Sequence, residues 1–215
     1  KMKLIHPELK NKPVEAIIFD LGAVIINIDY NKTRDAFQQQ GIKNFDGLFS
    51  KARQSTLFDR LEKGLIDATQ FRHDLRALSG VPLTDEVIDA CWNKMLLQLP
   101  KQRIQLLNEL KQHFPLFLLS NTNIIHEKAF AKYIDAEYGW HHFTSMFKQI
   151  YFSHHIHMRK PDLEIFEKVL HDHQLNASTT LFIDDSPQHI EGALKIGINA
   201  FHLTDDLDIC DLFAW

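Results

Sequence analysis

The sequence predicts an α/β fold: a three-layer, Rossmann-like parallel-sheet core with an inserted small helical cap domain. Three observations carry this. Short runs at 16–19, 116–119 and 181–183 are rich in Ile, Leu and Phe without polar alternation, as strands buried on both faces are. Each run breaks off into residues suited to phosphate and metal chemistry: Asp20, Ser120-Asn121 and Asp184-Asp185. Between the first two runs lies a long stretch that reads almost wholly helical. Ligands collect beyond the carboxyl ends of parallel strands, so the three breaks are expected to converge on one site.

In chain order, the 16–19 strand ends at Asp20, and a further apolar stretch follows at 24–28. Helices are expected over 32–40, 56–63, 68–78 and 84–97, with breaks at Gly41, Gly64 and Gly80-Val81-Pro82. The next strand arrives only near Phe114. Residues 29–97 therefore read as the cap, and 1–28 with 98–215 as the core. An insert that leaves just beyond Asp20 and returns by Pro100 sits above the site. Behind Ser120 a helix is expected over 126–138. Over 162–172, Leu163, Phe166, Val169 and Leu170 share one helical face, and the segment leads into the 181–183 strand. A last helix over 187–195 carries the stripe Ile190, Ala193 and Leu194. Strand, helix, strand order implies right-handed parallel crossovers.

A chain of 215 residues can bury a full core as one domain, or one domain with an insert. A net charge of -4 and a pI near 6.4 give no basic face for nucleic acid. No stretch approaches the roughly 18 apolar residues that a membrane span needs. Cys91 and Cys210 lie far apart without a CxxC, which argues against a disulfide framework or a zinc knuckle. Residues 1–7 show no apolar run ending in a small-residue cleavage site, so a cytoplasmic location is expected. Among 13 histidines, His154, His155 and His157 share a loop and His141-His142 are adjacent; both groups read as solvated surface rather than a zinc site. The loop precedes Lys160, so a histidine reaching the substrate stays open. Phe58 and Phe71 read as packing, with a pocket lining as the alternative.

A carboxylate at a strand end beside other carboxylates has few uses beyond metal binding, general base work and nucleophilic attack. Asp20 can serve as nucleophile and ligand together. With Asp184 and Asp185 close by, repulsion is severe unless a cation such as Mg2+ neutralises it, and hard oxygen ligands suit that ion. Lys160 then completes the charge balance, and Ser120 supplies a hydroxyl donor, which describes phosphoryl transfer by positioning and electrostatics. Each residue alone has a plainer reading as a turn, a helix cap or a solvated side chain. Their co-occurrence outweighs it.

Four motifs in order give the chain its resemblance to a known family. They are Ile-Ile-Phe-Asp-Leu-Gly-Ala-Val at 17–24, Leu-Leu-Ser-Asn-Thr-Asn at 118–123, Arg-Lys-Pro-Asp at 159–162 and Phe-Ile-Asp-Asp-Ser at 182–186. The chain resembles the haloacid dehalogenase-like hydrolases, phosphatase branch, with a small helical cap after the first motif. Within them the pattern is similar to sugar-phosphate phosphatases of the alpha-D-glucose-1-phosphate phosphatase type. The resemblance implies Mg2+-dependent hydrolysis of a small phosphorylated metabolite, a sugar phosphate, through an aspartyl-phosphate. It implies Asp20 as the nucleophile, with its other oxygen and the Gly22 carbonyl on Mg2+. Ser120 and Lys160 would hold the phosphate, and backbone amides of Leu21, Gly22 and Asn121 would donate to it. Asp184 and Asp185 would complete the metal site, Asp185 directly and Asp184 directly or through water.

One position departs from the pattern. Most phosphatases of this family place a second aspartate two residues after the nucleophile, as acid for the leaving group and then base for water. Here that residue is Gly22. General acid catalysis contributes about 10²- to 10⁴-fold, so the expected substrates are esters whose leaving oxygen needs less protonation, such as anomeric sugar 1-phosphates or aryl phosphates. A water, a cap residue or a loop histidine is left as the proton source. The alternative function is a non-catalytic phosphate-ligand binding or regulatory protein on the same fold. A haloacid dehalogenase also lacks that aspartate, but works without metal and does not usually carry a paired acid like Asp184-Asp185. Ala23, where glycine is common, and His189, where some relatives have another acid, are smaller departures. Substrate choice is expected from the cap, with Arg53, Phe58, Arg60 and Glu62 as candidates.

Overall fold

The computed structural model describes residues 2–54 and 56–214, and the side chains among these except at 51–54. The strands are β1 (Lys3–Leu4), β2 (Ala16–Phe19), β3 (Leu116–Ser120), β4 (Gln149–Phe152), β5 (Thr180–Asp184), β6 (Asn199–His202) and β7 (Phe213–Ala214). Five of them form a parallel sheet in the order β4-β3-β2-β5-β6, and β1 pairs antiparallel with β7. The expected α/β core is present. Phe19 of β2 lies opposite Leu118 on one side and Ile183 on the other, so Asp20, Ser120 and Asp184 reach the same edge of the sheet. Strands β4 and β6 flank the sheet and have half-exposed residues, so neither shows the unbroken apolar run that marks the central three.

After β2 come α1 (Tyr30–Gln39), α2 (Phe45–Gln54), α3 (Leu57–Glu62), α4 (Ala68–Ser79) and α5 (Asp85–Asn93). Their apolar faces meet in a core of their own, built on Phe37, Leu48, Leu61, Phe71, Leu75 and Ile88. Helix α2 was absent from the sequence reading because Gly47 in its first turn weakens the helical signal; Asn44 Oδ1 secures that turn by accepting from Gly47 N at 2.9 Å. Asp67 and Thr84 cap α4 and α5 in the same way. Buried Thr33 locks α1 to α5, donating to Cys91 O at 2.9 Å and accepting from Met95 N at 3.0 Å.

Helix α5 stops at Asn93, short of the expected residue 97, because the chain there turns to pair with the outgoing segment. Leu97 N donates to Asn27 O at 2.9 Å, Asn27 N to Gln98 O at 3.0 Å and Asp29 N to Met95 O at 2.9 Å. Helix α6 (Lys101–Leu110) then places Arg103 across this crossing. The guanidinium donates to Ile25 O at 3.0 Å and Asn27 Oδ1 at 2.9 Å, and twice to Asp208 Oδ2 at 2.9 and 2.8 Å. Burial opposes ionisation of Asp208, but Arg103 and the Cys210 backbone N–H hold its carboxyl below the ordinary range. A lowered folded pKa stabilises above the ordinary Asp value of about 3.9, and the contribution is lost as pH falls below it. Asp208→Asn is therefore expected to flatten the acid limb of a denaturation-versus-pH profile; an unchanged limb would show that the pair adds nothing.

The remaining helices are α7 (Ile124–Tyr138), α8 (Trp140–Thr144), α9 (Ser153–Ile156), α10 (Leu163–Asp172) and α11 (Pro187–Lys195). Alternate residues of each central strand bury on opposite faces. Ile17, Phe19, Leu118 and Ile183 pack with α6 to α8, and Ile18, Phe117, Leu119 and Phe182 with α10 and α11, which makes three layers. Among the described residues no helix is long and apolar enough to cross a membrane.

The helical insert touches the core at a tight point. Gly64, just after α3, has φ +64°, and a Cβ there would lie 2.3 Å from His154 O. Gly64→Ala meets both a left-handed backbone, costing about 1–2 kcal/mol for a residue with Cβ, and a clash. A loss of about 2 kcal/mol or more in chemical denaturation is expected; an unchanged midpoint would mean that the insert does not dock this closely.

Candidate active site

Asp20 follows β2 directly, Ser120 ends β3 and Asp184 ends β5. Lys160 reaches them from the loop before α10. Its side chain is fully buried, and its ammonium donates to Asp20 Oδ1 at 2.8 Å, Asp184 Oδ2 at 2.7 Å and Leu119 O at 2.8 Å. All three protons are used. Asn121 fixes the lysine backbone, its Nδ2 donating to Lys160 O and its Oδ1 accepting from Lys160 N, both at 2.8 Å.

The two carboxylates that share Lys160 differ. Asp184 also accepts from Ser186 N at 2.8 Å, and His189 Nδ1 lies 3.0 Å from each of its oxygens. Burial works against its charge, yet Lys160 and then His189 hold it well below the usual carboxylate range. His189 thus serves as a partner of Asp184. Among the described residues Lys160 is the one donor to the Asp20 carboxylate, and burial, with Asp184 and Asp185 nearby, pushes it up to about 7 against the pull of Lys160. Asp185 is raised too, by burial and then by Asp184. Oxygen atoms of Asp20, Asp184 and Asp185 all lie within 4.8 Å of one another. Three carboxylates face one lysine, so the cluster carries a charge deficit that a divalent cation fits, and an all-oxygen donor set suits Mg2+.

These residues open into a cavity of about 930 Å³. Asp20, Leu21, Gly22, Ser120, Asn121 and Asp185 line it, whereas Lys160 and Asp184 lie behind its wall. The loop after Asp20 is closed by Ala23 N donating to Ile26 O at 2.7 Å and by Ile25 N and Ile26 N donating to Leu21 O. Among the described residues no protein acceptor takes the Leu21 or Gly22 N–H. Ala23 has φ +61°, the left-handed conformation that favours glycine. At Gly22 an added Cβ would meet Ile28 Cγ1 at 3.4 Å, an ordinary contact, so a Cβ is tolerated there.

Residues of α3, α5 and α7 also line the cavity. Phe58, Glu62 and Trp92 line it, and so does His126, which sequence reasoning missed. His126 lies one turn beyond Asn123, whose Oδ1 caps α7 by accepting from Ile125 N and His126 N at 3.0 Å each. Burial pushes His126 down to about 3, so the ring is neutral, and its Nδ1 lies 2.8 Å from Asn93 Oδ1. Only its spacing from that cap could have marked it. Arg159, also on the wall, is held by Asp59 at 3.1 Å and Glu62 at 2.9 Å. Of the expected cap candidates, Arg60 turns away to Asp74 at 3.3 Å, and Arg53 lies outside the described side chains. The loop histidines do not reach the cavity. His154 and His155 meet Glu127 at 2.7 and 2.9 Å, and His157 Nδ1 donates to Lys63 O at 2.8 Å.

A profile described as haloacid dehalogenase-like hydrolase matches residues 17–203, which spans every element of this site. The chain belongs to that family. It is 29% identical over 196 residues to D-ribitol-5-phosphate phosphatase of Bacteroides thetaiotaomicron, covering 91% of this chain and 94% of that one. It is 28% identical over 197 residues to a sesquiterpene phosphatase of Aspergillus oryzae, covering 91% and 93%. Among solved structures, a haloacid dehalogenase family enzyme of Bacteroides thetaiotaomicron superposes with a TM-score of 0.85 at 32% identity, covering 94% of this chain and 98% of that one. The same enzyme has been crystallised with magnesium and inorganic phosphate.

Proposed function

We propose that this chain is a Mg2+-dependent phosphatase that cleaves a small phosphate monoester through an aspartyl-phosphate at Asp20. The observation that carries the reading is the position of Asp20: on the cavity wall, one oxygen held by Lys160, beside Ser120 and the Asp184-Asp185 pair. The phosphatase names of two relatives, and the magnesium and phosphate complex of a crystallised enzyme of the family, support it. The second Asp20 oxygen attacks phosphorus as the bond to the leaving oxygen breaks, and water then cleaves the acyl phosphate. Ser120 Oγ and the N–H groups of Leu21 and Gly22, with Asn121 N–H as expected from the motif, donate to the phosphoryl oxygens. Lys160, already saturated by protein acceptors, acts through Asp20 by holding it in place and balancing its charge. Asp20 and Asp185 with the Gly22 carbonyl would hold Mg2+, and Asp184, whose oxygens are engaged, would complete the acidic cluster. The ion supplies charge neutralisation at the phosphoryl group. Residues 29–97 act as a cap over this site.

The test is phosphate release from a panel of monoesters with and without Mg2+, together with trapping of beryllium fluoride at Asp20. Turnover that needs the metal and is blocked by the trap is expected; folded protein that releases no phosphate would favour a phosphate-binding role. Because no side chain at Gly22 protonates the leaving oxygen, aryl phosphates should outpace alkyl ones. Gly22→Asp should raise kcat on alkyl esters toward the ~10²-fold that a general acid typically contributes. An alkyl-to-aryl ratio that the substitution leaves unchanged would refute this. The two phosphatase relatives act, by their names, on a polyol ester and on a terpenoid, and they match this chain at similar identity, 29% and 28%. A sugar phosphate, the class implied by the motifs, is therefore one of two leaving-group classes to decide between.

A further inference from the structure

Beyond Asp20 the cavity changes character. Phe58 and Trp92 stack with centroids 5.2 Å apart and planes 7° apart, and the Trp92 and His126 rings follow at 5.1 Å and 11°. Phe49 extends this wall, 4.5 Å from Phe58. Ile28, Met95 and Leu96 also line the chamber. At about 930 Å³ the cavity lies near the top of the range of about 300–1,000 Å³ that small-molecule sites span.

We propose that the leaving group of the substrate is a bulky, mainly apolar alcohol carrying rings or double bonds rather than a sugar. The inference rests on the phosphate-monoester reading above. Sugar hydroxyls entering this chamber lose water and need protein partners, and a buried hydroxyl without one is penalised. Three of the polar side chains on the wall are committed elsewhere. Arg159 is tied to Asp59 and Glu62, Asn121 to the Lys160 backbone and Asn123 to the start of α7. Tyr30, Thr56, Thr122 and Gln188 also reach the wall, but most of the remaining surface is aromatic and aliphatic, which gains from burying apolar area and from ring contacts. Among the described residues Trp92 Nε1 is buried without a partner, and His126 offers a second polar atom. With Nδ1 paired to Asn93, its Nε2 has no protein partner among the described residues and accepts one hydrogen bond from the leaving group.

The experiment compares kcat/KM, with Mg2+, for 3-phenylpropyl phosphate and farnesyl monophosphate against D-ribitol 5-phosphate and glucose 6-phosphate. All four are esters of primary alcohols, so the comparison reads the body of the leaving group. The apolar esters are expected to be favoured by at least about tenfold, as an apolar pocket allows for one to a few added hydrocarbon groups. Phe58→Ser, at a half-buried ring, should lower the apolar-to-polyol ratio by about tenfold. Trp92→Ala should do the same, and Phe58→Ser keeps the test valid if that variant fails to fold. Equal or better turnover of the polyol esters overturns the inference while leaving the phosphatase reading intact. If nothing turns over, that reading fails, and calorimetry on Asp20→Asn still decides this one: 3-phenylpropyl phosphate binding no tighter than inorganic phosphate overturns it.

Discussion

Asp20→Asn is expected to lower kcat for phosphate release by at least about 10⁴-fold, because an amide oxygen cannot form the covalent intermediate. The fold should not suffer. The substitution keeps the shape of the side chain, and its oxygen can still accept from Lys160 Nζ, as Asp20 Oδ1 does at 2.8 Å. The charge that it removes is one that burial disfavours. With a folded pKa of about 7, Asp20 contributes stability below the ordinary carboxylate range, and that contribution is lost as pH rises through about 7. In metal-free protein above pH ~7 the variant should therefore melt no lower than the wild type. A melting curve at two pH values and a phosphate-release assay check both parts. Residual turnover within tenfold of wild type would remove Asp20 as nucleophile, and a lower melting temperature would assign it a structural task instead.

How much of this was legible in the sequence follows from what each residue's neighbours are. The central strands and their polar ends were readable because a strand buried on both faces is an uninterrupted apolar run, and Asp20, Ser120 and Asp184 sit at the break. The edge strands β4 and β6 were not, since their residues are apolar only in part. The fully buried state of Lys160 was also hidden: an Arg-Lys-Pro-Asp string reads as solvated, and only the fold brings three acceptors around one ammonium. The departure at His189 becomes intelligible in three dimensions, where the imidazole meets Asp184. The far wall of the cavity was least legible. Phe58, Trp92 and His126 come from separate helices, and no sequence spacing places three rings in a stack. Phe58 could be read as packing or as lining, and in the structure it is both.

Lys160→Met should be the most damaging single change to the fold, costing about 3–5 kcal/mol, the usual result of removing one partner from a buried ion pair. The lysine has no exposed surface, and burial alone would strip its proton; Asp184 and Asp20 outweigh that and raise its pKa. Without it, Asp20 and Asp184 face each other, and among the described residues the remaining partners, Ser186 N and His189, are both on Asp184. Asn121 still holds the backbone at 160, so the loss reports the charge rather than the loop. Two measurements separate this from a mere packing defect. Adding Asp20→Asn to Lys160→Met should restore part of the lost stability, since it removes an unpaired carboxylate; the two substitutions then fail to add. Mg2+ should raise the melting temperature of Lys160→Met, because a cation bound only to folded protein stabilises by about 2.7 kcal/mol at a hundred times its dissociation constant. Additive losses with no response to Mg2+ would mean that the lysine is a packing element. The expected result ties stability to chemistry, because the ammonium that holds the carboxylates together in the fold is the one that orients Asp20 for attack.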